Sequence, residues 1–94
     1  MSTYLDGAVA AMLRYLDTAP QYAPALLDVV AEIKSARAQH PPMRGAHEGY
    51  AVLLEEVDEL WAEDKDRRRD LDAMRREAIQ IAAMAIAFAA EVCE

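Results

Sequence analysis

The acidic residues that follow an apolar run in the middle of the chain are the side chains best suited to chemistry. The segment HEGYAVLLEEVDELW contains Glu55, Glu56 and Glu59. On a helical wheel of 100° per residue, Glu56 and Glu59 border the apolar side of this segment. Carboxylates held close together repel and raise each other's pKa values, and a hard divalent cation relieves that repulsion. The segment is therefore a candidate metal-binding helix.

A second acidic position lies on the next apolar helix of the sequence. Glu77 falls on the same helical line as Ile81, Met84 and Phe88, with Gln80 one turn away. An ionised carboxylate against packed apolar surface is costly unless it is paired or bound to metal. If the two helices pack antiparallel, Glu77 meets the glutamates of the first helix, and oxygen ligands of this kind suit Mg²⁺.

Other interpretations of these acids stay open from the residues alone. Glu-Glu-x-x-Glu patterns are common on solvated helix faces, and Arg37, Arg75 or Arg76 could pair with Glu77. A di-iron carboxylate bundle is disfavoured because its helices carry Glu-x-x-His pairs. Neither histidine here has a glutamate three residues before it.

The composition bounds the class of protein. The 94 residues suggest one domain, and the net charge of -7 argues against binding to nucleic acid. The single cysteine, Cys93, allows no disulfide framework within the chain, and no signal peptide is apparent, so a cytoplasmic protein is expected. The apolar run IAAMAIAFAA is too short to span a membrane, which needs about 20 residues.

The periodicity predicts an all-α fold of four antiparallel helices in one domain, residues 1–94. No stretch alternates with period two, so strands are not expected. The predicted helices cover about residues 3–17, 24–39, 46–63 and 67–92, with Asp64 or Asp66 capping the last. The stripes expected to be buried are Leu5, Val9, Met12 and Leu16 in the first helix and Leu26, Val30 and Ile33 in the second.

The fourth predicted helix is apolar on all sides between Ala78 and Ala90, apart from Gln80. A helix of this kind must be covered all round. Three other helices of a short chain do not supply that cover, so we expect a homo-oligomer, most simply a two-fold dimer, with this helix near the interface.

The acidic positions together resemble the signature of the MazG-like all-α nucleoside triphosphate pyrophosphohydrolases, a superfamily that includes dimeric dUTPases. That signature is Glu-Glu-x-x-Glu on one helix and Glu-x-x-Asp on the next. Here the strings AHEGYAVLLEEVDELW and RREAIQIAAMAIAF are similar to a small phage- and bacterium-associated branch. The resemblance covers about residues 26–92. Residues 21–94 would then form the MazG-like helices, and residues 1–20 an additional N-terminal helix.

The resemblance implies a reaction and roles for particular residues. It implies Mg²⁺, or Mn²⁺ in its place, bound by Glu56, Glu59 and Glu77, with Gln80 at the fourth ligand position. Glu55 would orient or deprotonate a water that attacks between the α and β phosphates of a nucleoside triphosphate. The products would be a nucleoside monophosphate and pyrophosphate. Members of the superfamily assemble as dimers or tetramers.

The sequence departs from the signature at Gln80, where the family has an aspartate. A glutamine oxygen is neutral and binds Mg²⁺ less strongly than a carboxylate. The alternative to an enzyme is therefore a non-catalytic, oligomeric helical-bundle protein of the same fold that serves as a binding or interaction module.

Four further residues are candidates for binding substrate. Lys34 and Arg37 could contact phosphate, although cations near a helix C-terminus are favoured without any ligand. Trp61 could stack on a base at a pocket rim, although packing in the core is the more usual role of such a residue. His47 could cap its helix or contact phosphate, and the sequence does not decide between these roles.

Overall fold

The computed structural model describes residues 3–66 and 68–94, which form four α-helices and one short 3-10 turn. The helices are α1 (Thr3–Thr18), α2 (Ala23–Gln39), α3 (Ala46–Lys65) and α4 (Leu71–Glu91), and the turn is Pro20–Tyr22. The predicted all-helical class is confirmed, and the described residues contain no strand. Within this described part, no helix is both long and apolar enough to cross a membrane.

Helix α4 is the central helix of the fold, because it packs against both α3 and α2. Its direction relative to α3 follows from two contacts. Gly49, near the start of α3, meets Phe88, near the end of α4. Glu59, farther along α3, meets Glu77, which lies in the first half of α4. The two helices are therefore antiparallel.

The start of α4 differs from the expectation. The helix begins at Leu71, and Asp70 caps it by accepting hydrogen bonds from the backbone N–H groups of Asp72 at 3.0 Å and Ala73 at 3.1 Å. The predicted caps, Asp64 and Asp66, are wrong. Both precede the helix, because α3 ends at Lys65 and α4 begins only at Leu71. The predicted start, residue 67, is four residues earlier and lies outside the described residues.

Most of the buried positions are occupied by small residues, alanine and glycine. Ala73, Ala83 and Ala87 are the buried positions of α4, and Gly49 is the buried position of α3. A Cβ atom on Gly49 would lie 2.5 Å from a ring carbon of Phe88. The absence of a side chain at this position therefore allows α3 and α4 to approach closely, as small residues do at other tight helix crossings.

The apolar stripes predicted to be buried are largely exposed within one chain. Val30 is 64% exposed whereas its neighbour Val29 is buried, so the buried side of α2 is one residue, about 100°, away from the predicted stripe. No residue of α1 from Thr3 to Thr18 is buried. A stripe of α3 that contains Trp61 is also exposed, by 41–61%: Tyr50, Leu54, Val57 and Trp61. Core packing of Trp61 within one chain is thus not observed.

An ion pair fastens the loop between α2 and α3. Arg37 Nε donates to Glu91 Oε2 at 2.7 Å, and Arg37 Nη1 donates to the carbonyl oxygens of His40 at 3.1 Å and Pro41 at 2.8 Å. The other oxygen of Glu91 accepts from the backbone N–H of Met43 at 2.8 Å. Glu91, at the end of α4, is thereby bound to α2 through Arg37 and to the loop through Met43.

Candidate carboxylate site

Three glutamates from two helices form a cluster on one side of the α3–α4 pair. Glu56, Glu59 and Glu77 each place a carboxylate oxygen within 4.8 Å of the other two. Glu56 and Glu77 are half-buried and Glu59 is exposed. The cluster therefore opens to solvent at one edge while its other edge is formed by packed helices.

Helical geometry explains why these three residues meet. Glu56 and Glu59 are three residues apart on α3, so their side chains are neighbours on one face. Glu77 lies on the face of α4 that α3 covers. α3 and α4 pack antiparallel, and Gly49 allows their close contact near the start of α3. This packing fixes the position of Glu77 along α3, beside Glu56 and Glu59.

The electrostatics of the cluster favour retention of a proton. Burial, which is the largest cause, and the neighbouring carboxylates of Glu59 and Glu77 together raise the pKa of Glu56 to about 7. Burial also raises the pKa of Glu77, with a further increase from Glu59, while a hydrogen bond from Glu56 lowers it. The proximity of Glu56 to Glu77 thus favours a proton on Glu56, because it raises the pKa of Glu56 while its hydrogen-bond contribution lowers that of Glu77.

Gln80 completes the cluster as a hydrogen-bond donor. The amide orientation that satisfies its neighbours points its Nε2 at Oε2 of Glu56, at 2.6 Å, and at Oε2 of Glu77, at 3.2 Å. An aspartate at this position would offer no donor. The amide therefore offsets part of the repulsion between the carboxylates, and rotation of its side chain by half a turn would present its carbonyl oxygen instead.

A cavity of about 600 Å³ lies beside the cluster, between α2, α3, α4 and the fastened loop. Its volume is within the range that small-molecule sites occupy. Its polar lining includes Glu55 and Glu56 from α3, Gln80 from α4, and Glu32 and Arg37 from α2. The cavity thus shares Glu56 and Gln80 with the carboxylate cluster.

The other predicted site residues are distributed unevenly around this cavity. Glu55 lines it, exposed beside Glu56. Arg37 also lines it, but its guanidinium is engaged by Glu91 and the loop carbonyls. Lys34, His47 and Trp61 are described residues that do not line the cavity. Trp61 is 56% exposed, and Nζ of Lys65 lies 5.4 Å from the centroid of its ring.

Sequence reasoning missed three glutamates at the cavity and its loop: Glu32, Glu48 and Glu91. Glu32 lines the cavity, as Gln80 does. It lies three residues after Val29, so the correct buried face of α2 would have pointed to it. Glu91 holds Arg37 and the N–H of Met43. Nothing in the sequence near Glu91 indicates these partners, which are 48 and 54 residues away along the chain.

The donor set fits a hard divalent cation in its chemistry. Oxygens that share an octahedral Mg²⁺ at 2.0–2.1 Å lie about 3 to 4 Å apart, and the three carboxylate oxygens lie within 4.8 Å. Small side-chain rotations would bring them into that range. A cation would also displace the proton of Glu56, because ligation requires the ionised form.

Comparison of this chain with models of known protein families, with curated proteins and with solved structures finds no match.

Proposed function

We propose that the chain is a Mg²⁺-dependent nucleotide pyrophosphohydrolase of MazG-like type, which converts a nucleoside triphosphate to a nucleoside monophosphate and pyrophosphate. The observation that carries the proposal is the cluster of Glu56, Glu59 and Glu77, contributed by two helices and adjoining a cavity of about 600 Å³. A cavity of this size has room for a small-molecule substrate.

The proposal gives each residue of the cluster one task. Glu56, Glu59 and Glu77 would hold Mg²⁺, or Mn²⁺, and Gln80 would turn its carbonyl oxygen toward the cation. Bound there, the cation would neutralise phosphate charge and act as a Lewis acid. Glu55 lines the same cavity as Glu56 and would orient a water and accept its proton as the water attacks phosphorus.

Arg37 would act in this proposal by position rather than by contact with phosphate. Its ion pair with Glu91, 2.7 Å long, is half-buried, and its other donors hold the loop carbonyls of His40 and Pro41. These bonds fix the wall of the cavity that faces the carboxylates. Lys34, His47 and Trp61 would contact substrate only if it extended beyond this cavity or if a second copy adjoined it. The enzyme would be a homo-oligomer, a dimer or a tetramer.

A direct assay tests the proposal. A panel of ribo- and deoxynucleoside triphosphates is incubated with the chain and Mg²⁺, and pyrophosphate and monophosphate are measured. We expect release of both, and its loss in Glu59→Gln and Glu77→Gln. Asp58→Asn is the matched control, because Asp58 lies on α3 beside Glu59 and is outside the cluster. Failure of every nucleotide to yield pyrophosphate, together with no thermal shift on addition of Mg²⁺, would refute it.

The second candidate is a non-catalytic bundle protein of the same fold, which serves as a binding or interaction module. The observation that favours it is the amide of Gln80, which satisfies Glu56 and Glu77 without any cation. Gln80→Asp separates the two candidates. If the natural chain is inactive and Gln80→Asp gains Mg²⁺ affinity, measured by isothermal titration calorimetry, the site is a degenerate one and the second candidate is preferred.

A further inference from the structure

Helix α1 carries an apolar face that the rest of its own chain leaves uncovered. Its charged residues, Asp6, Arg14 and Asp17, lie on one side of the helix. The other side carries Val9 and Met12, which are 40% and 52% exposed. α1 packs appreciably only against the 3-10 turn that follows it. An amphipathic helix with a face of this width normally buries that face against a partner.

The junction between α1 and α2 is ordered by hydrogen bonds. The N–H of Ala19 donates to the carbonyl oxygens of Tyr15 at 3.1 Å and Leu16 at 3.3 Å, and the hydroxyl of Thr18 donates to Tyr15 O at 2.7 Å. The N–H of Tyr22 then donates to Ala19 O at 3.3 Å. The turn between α1 and α2 is therefore defined by hydrogen bonds, and Tyr15, near the end of α1, borders the surface between α2 and α4.

An apolar groove of about 430 Å³ lies next to this junction, between α2 and α4. Among the residues that the structure describes, no charged side chain lines it. Its sides are aromatic and aliphatic, and three alanines form part of its lining: Tyr15, Tyr22, Ala25, Leu26, Val29, Ala78, Ile79 and Ala82. Alanines let another helix approach closely, and a groove of this kind takes the apolar face of an amphipathic helix.

The size of the exposed surface indicates how much cover is missing. A folded monomer of 10.4 kDa exposes about 5,400 Å², whereas this chain exposes 7242 Å². Its radius of gyration is 15.3 Å, against about 12 Å for a compact domain of this length. The excess surface, about 1,800 Å² per chain, would amount to about 3,600 Å² in a pair, which is typical of obligate homodimers.

We propose that α1 of one copy packs its apolar face into the α2–α4 groove of a second copy, and that the second copy does the same in return. A two-fold pair supplies both the helix and the groove on each side, so neither surface stays exposed. The α2 side of the groove, formed by Ala25, Leu26 and Val29, spans about one helical turn, as Val9 and Met12 do on α1. The net charge of -7 opposes binding of this helix to an anionic lipid surface.

This pairing does not rest on the proposed catalysis, because its basis is exposed apolar surface and its test measures mass. The mass of the 94-residue chain is determined by sedimentation equilibrium across a range of concentrations. We expect a dimer for the natural chain, and a dissociation constant raised about 100-fold or more by Val9→Glu combined with Met12→Glu.

Gly7→Glu is the matched control. Gly7 lies on the polar side of α1, where an added Cβ meets no atom within 4 Å, so this variant is expected to stay dimeric. Leu54→Glu tests the exposed stripe of α3 in the same way. If the natural chain is a monomer, the proposal is overturned. It is also overturned if Leu54→Glu dissociates the dimer while Val9→Glu combined with Met12→Glu does not. A monomer that sediments with phosphatidylglycerol vesicles would assign α1 to lipid and overturn it too.

Cross-linking provides a measurement that does not depend on a disruptive substitution. In a Cys93→Ser background, a Met12→Cys chain is mixed with an Ala78→Cys chain and treated with a short bis-maleimide. We expect a mixed cross-linked pair in higher yield than from Gly7→Cys with Ala78→Cys, because residue 12 would face the groove and residue 7 would face solvent. Equal yields from the two mixtures would overturn the proposed arrangement.

Discussion

The pH dependence of stability offers the sharpest test of the carboxylate cluster. Burial raises the pKa of Glu56 from 4.5 to about 7, with added contributions from Glu59 and Glu77. The folded chain therefore binds a proton more tightly than the unfolded chain does. The stabilisation from this proton is complete below pH 4.5 and is lost as the pH rises through about 7, so stability falls between about pH 5 and pH 8.

The expected magnitude follows from the pKa difference. A rise from 4.5 to about 7 corresponds to about 3 kcal/mol without screening. Glu56 is only half-buried, and solvent screening should leave about half of this value. We therefore expect Glu56→Gln, which keeps the shape and removes the charge, to be about 1.5 kcal/mol more stable than the natural chain at pH 8 in EDTA. At pH 5 the two should differ little.

The assay is urea unfolding followed by circular dichroism, at one fixed protein concentration because oligomers are stabilised by mass action. Glu55→Gln, outside the cluster on the same helix, should keep the natural pH dependence. A Glu56→Gln chain that retains the slope, or gains no stability at pH 8, would refute the reasoning. Mg²⁺ should restore stability at pH 8 to the natural chain and not to Glu56→Gln.

Four further substitutions test the helix packing, the loop between α2 and α3, and the N-cap of α4 by the same unfolding assay. Gly49→Ala should destabilise the folded chain by about 1–3 kcal/mol, because its Cβ would lie 2.5 Å from the Phe88 ring. Gly7→Ala, with open space around it, should stabilise the chain by about 0.5–1 kcal/mol. Equal effects of the two substitutions would refute the close approach of α3 and α4. Glu91→Gln should cost about 1–2 kcal/mol through its weakened bonds to α2 and the loop; no loss would show that the loop is held otherwise. Asp70→Ala should cost about 1 kcal/mol as the loss of an N-cap, and an unchanged midpoint would contradict that assignment.

The helices themselves could be predicted because their signals are local. Apolar periodicity and the prolines at 20, 24, 41 and 42 predicted the four segments, and the structure confirms the helical class. The start of α4 was predicted too early because several aspartates compete to cap it. The folded structure shows that Asp70 is the cap, because its side chain accepts hydrogen bonds from the backbone N–H groups of Asp72 and Ala73.

The buried face of α2 and α3 could not be predicted with the same accuracy. Val29 is buried and Val30 is exposed, although both are valine. Leu54, Val57 and Trp61 extend the apolar side of α3 that periodicity identified, yet they are exposed within one chain. A wheel shows which residues share a side, but the neighbours that cover that side come from other helices or other chains.

The sequence by itself determined the helical class, the acidic charge and the candidate residues Glu56, Glu59 and Glu77, because residue type and helical spacing are local properties. The tertiary structure decided that their carboxylate oxygens lie within 4.8 Å, since that distance depends on how closely α3 and α4 cross at Gly49. It also decided that Arg37 binds Glu91, a partner 54 residues away that only the packing of α2 against α4 brings within reach.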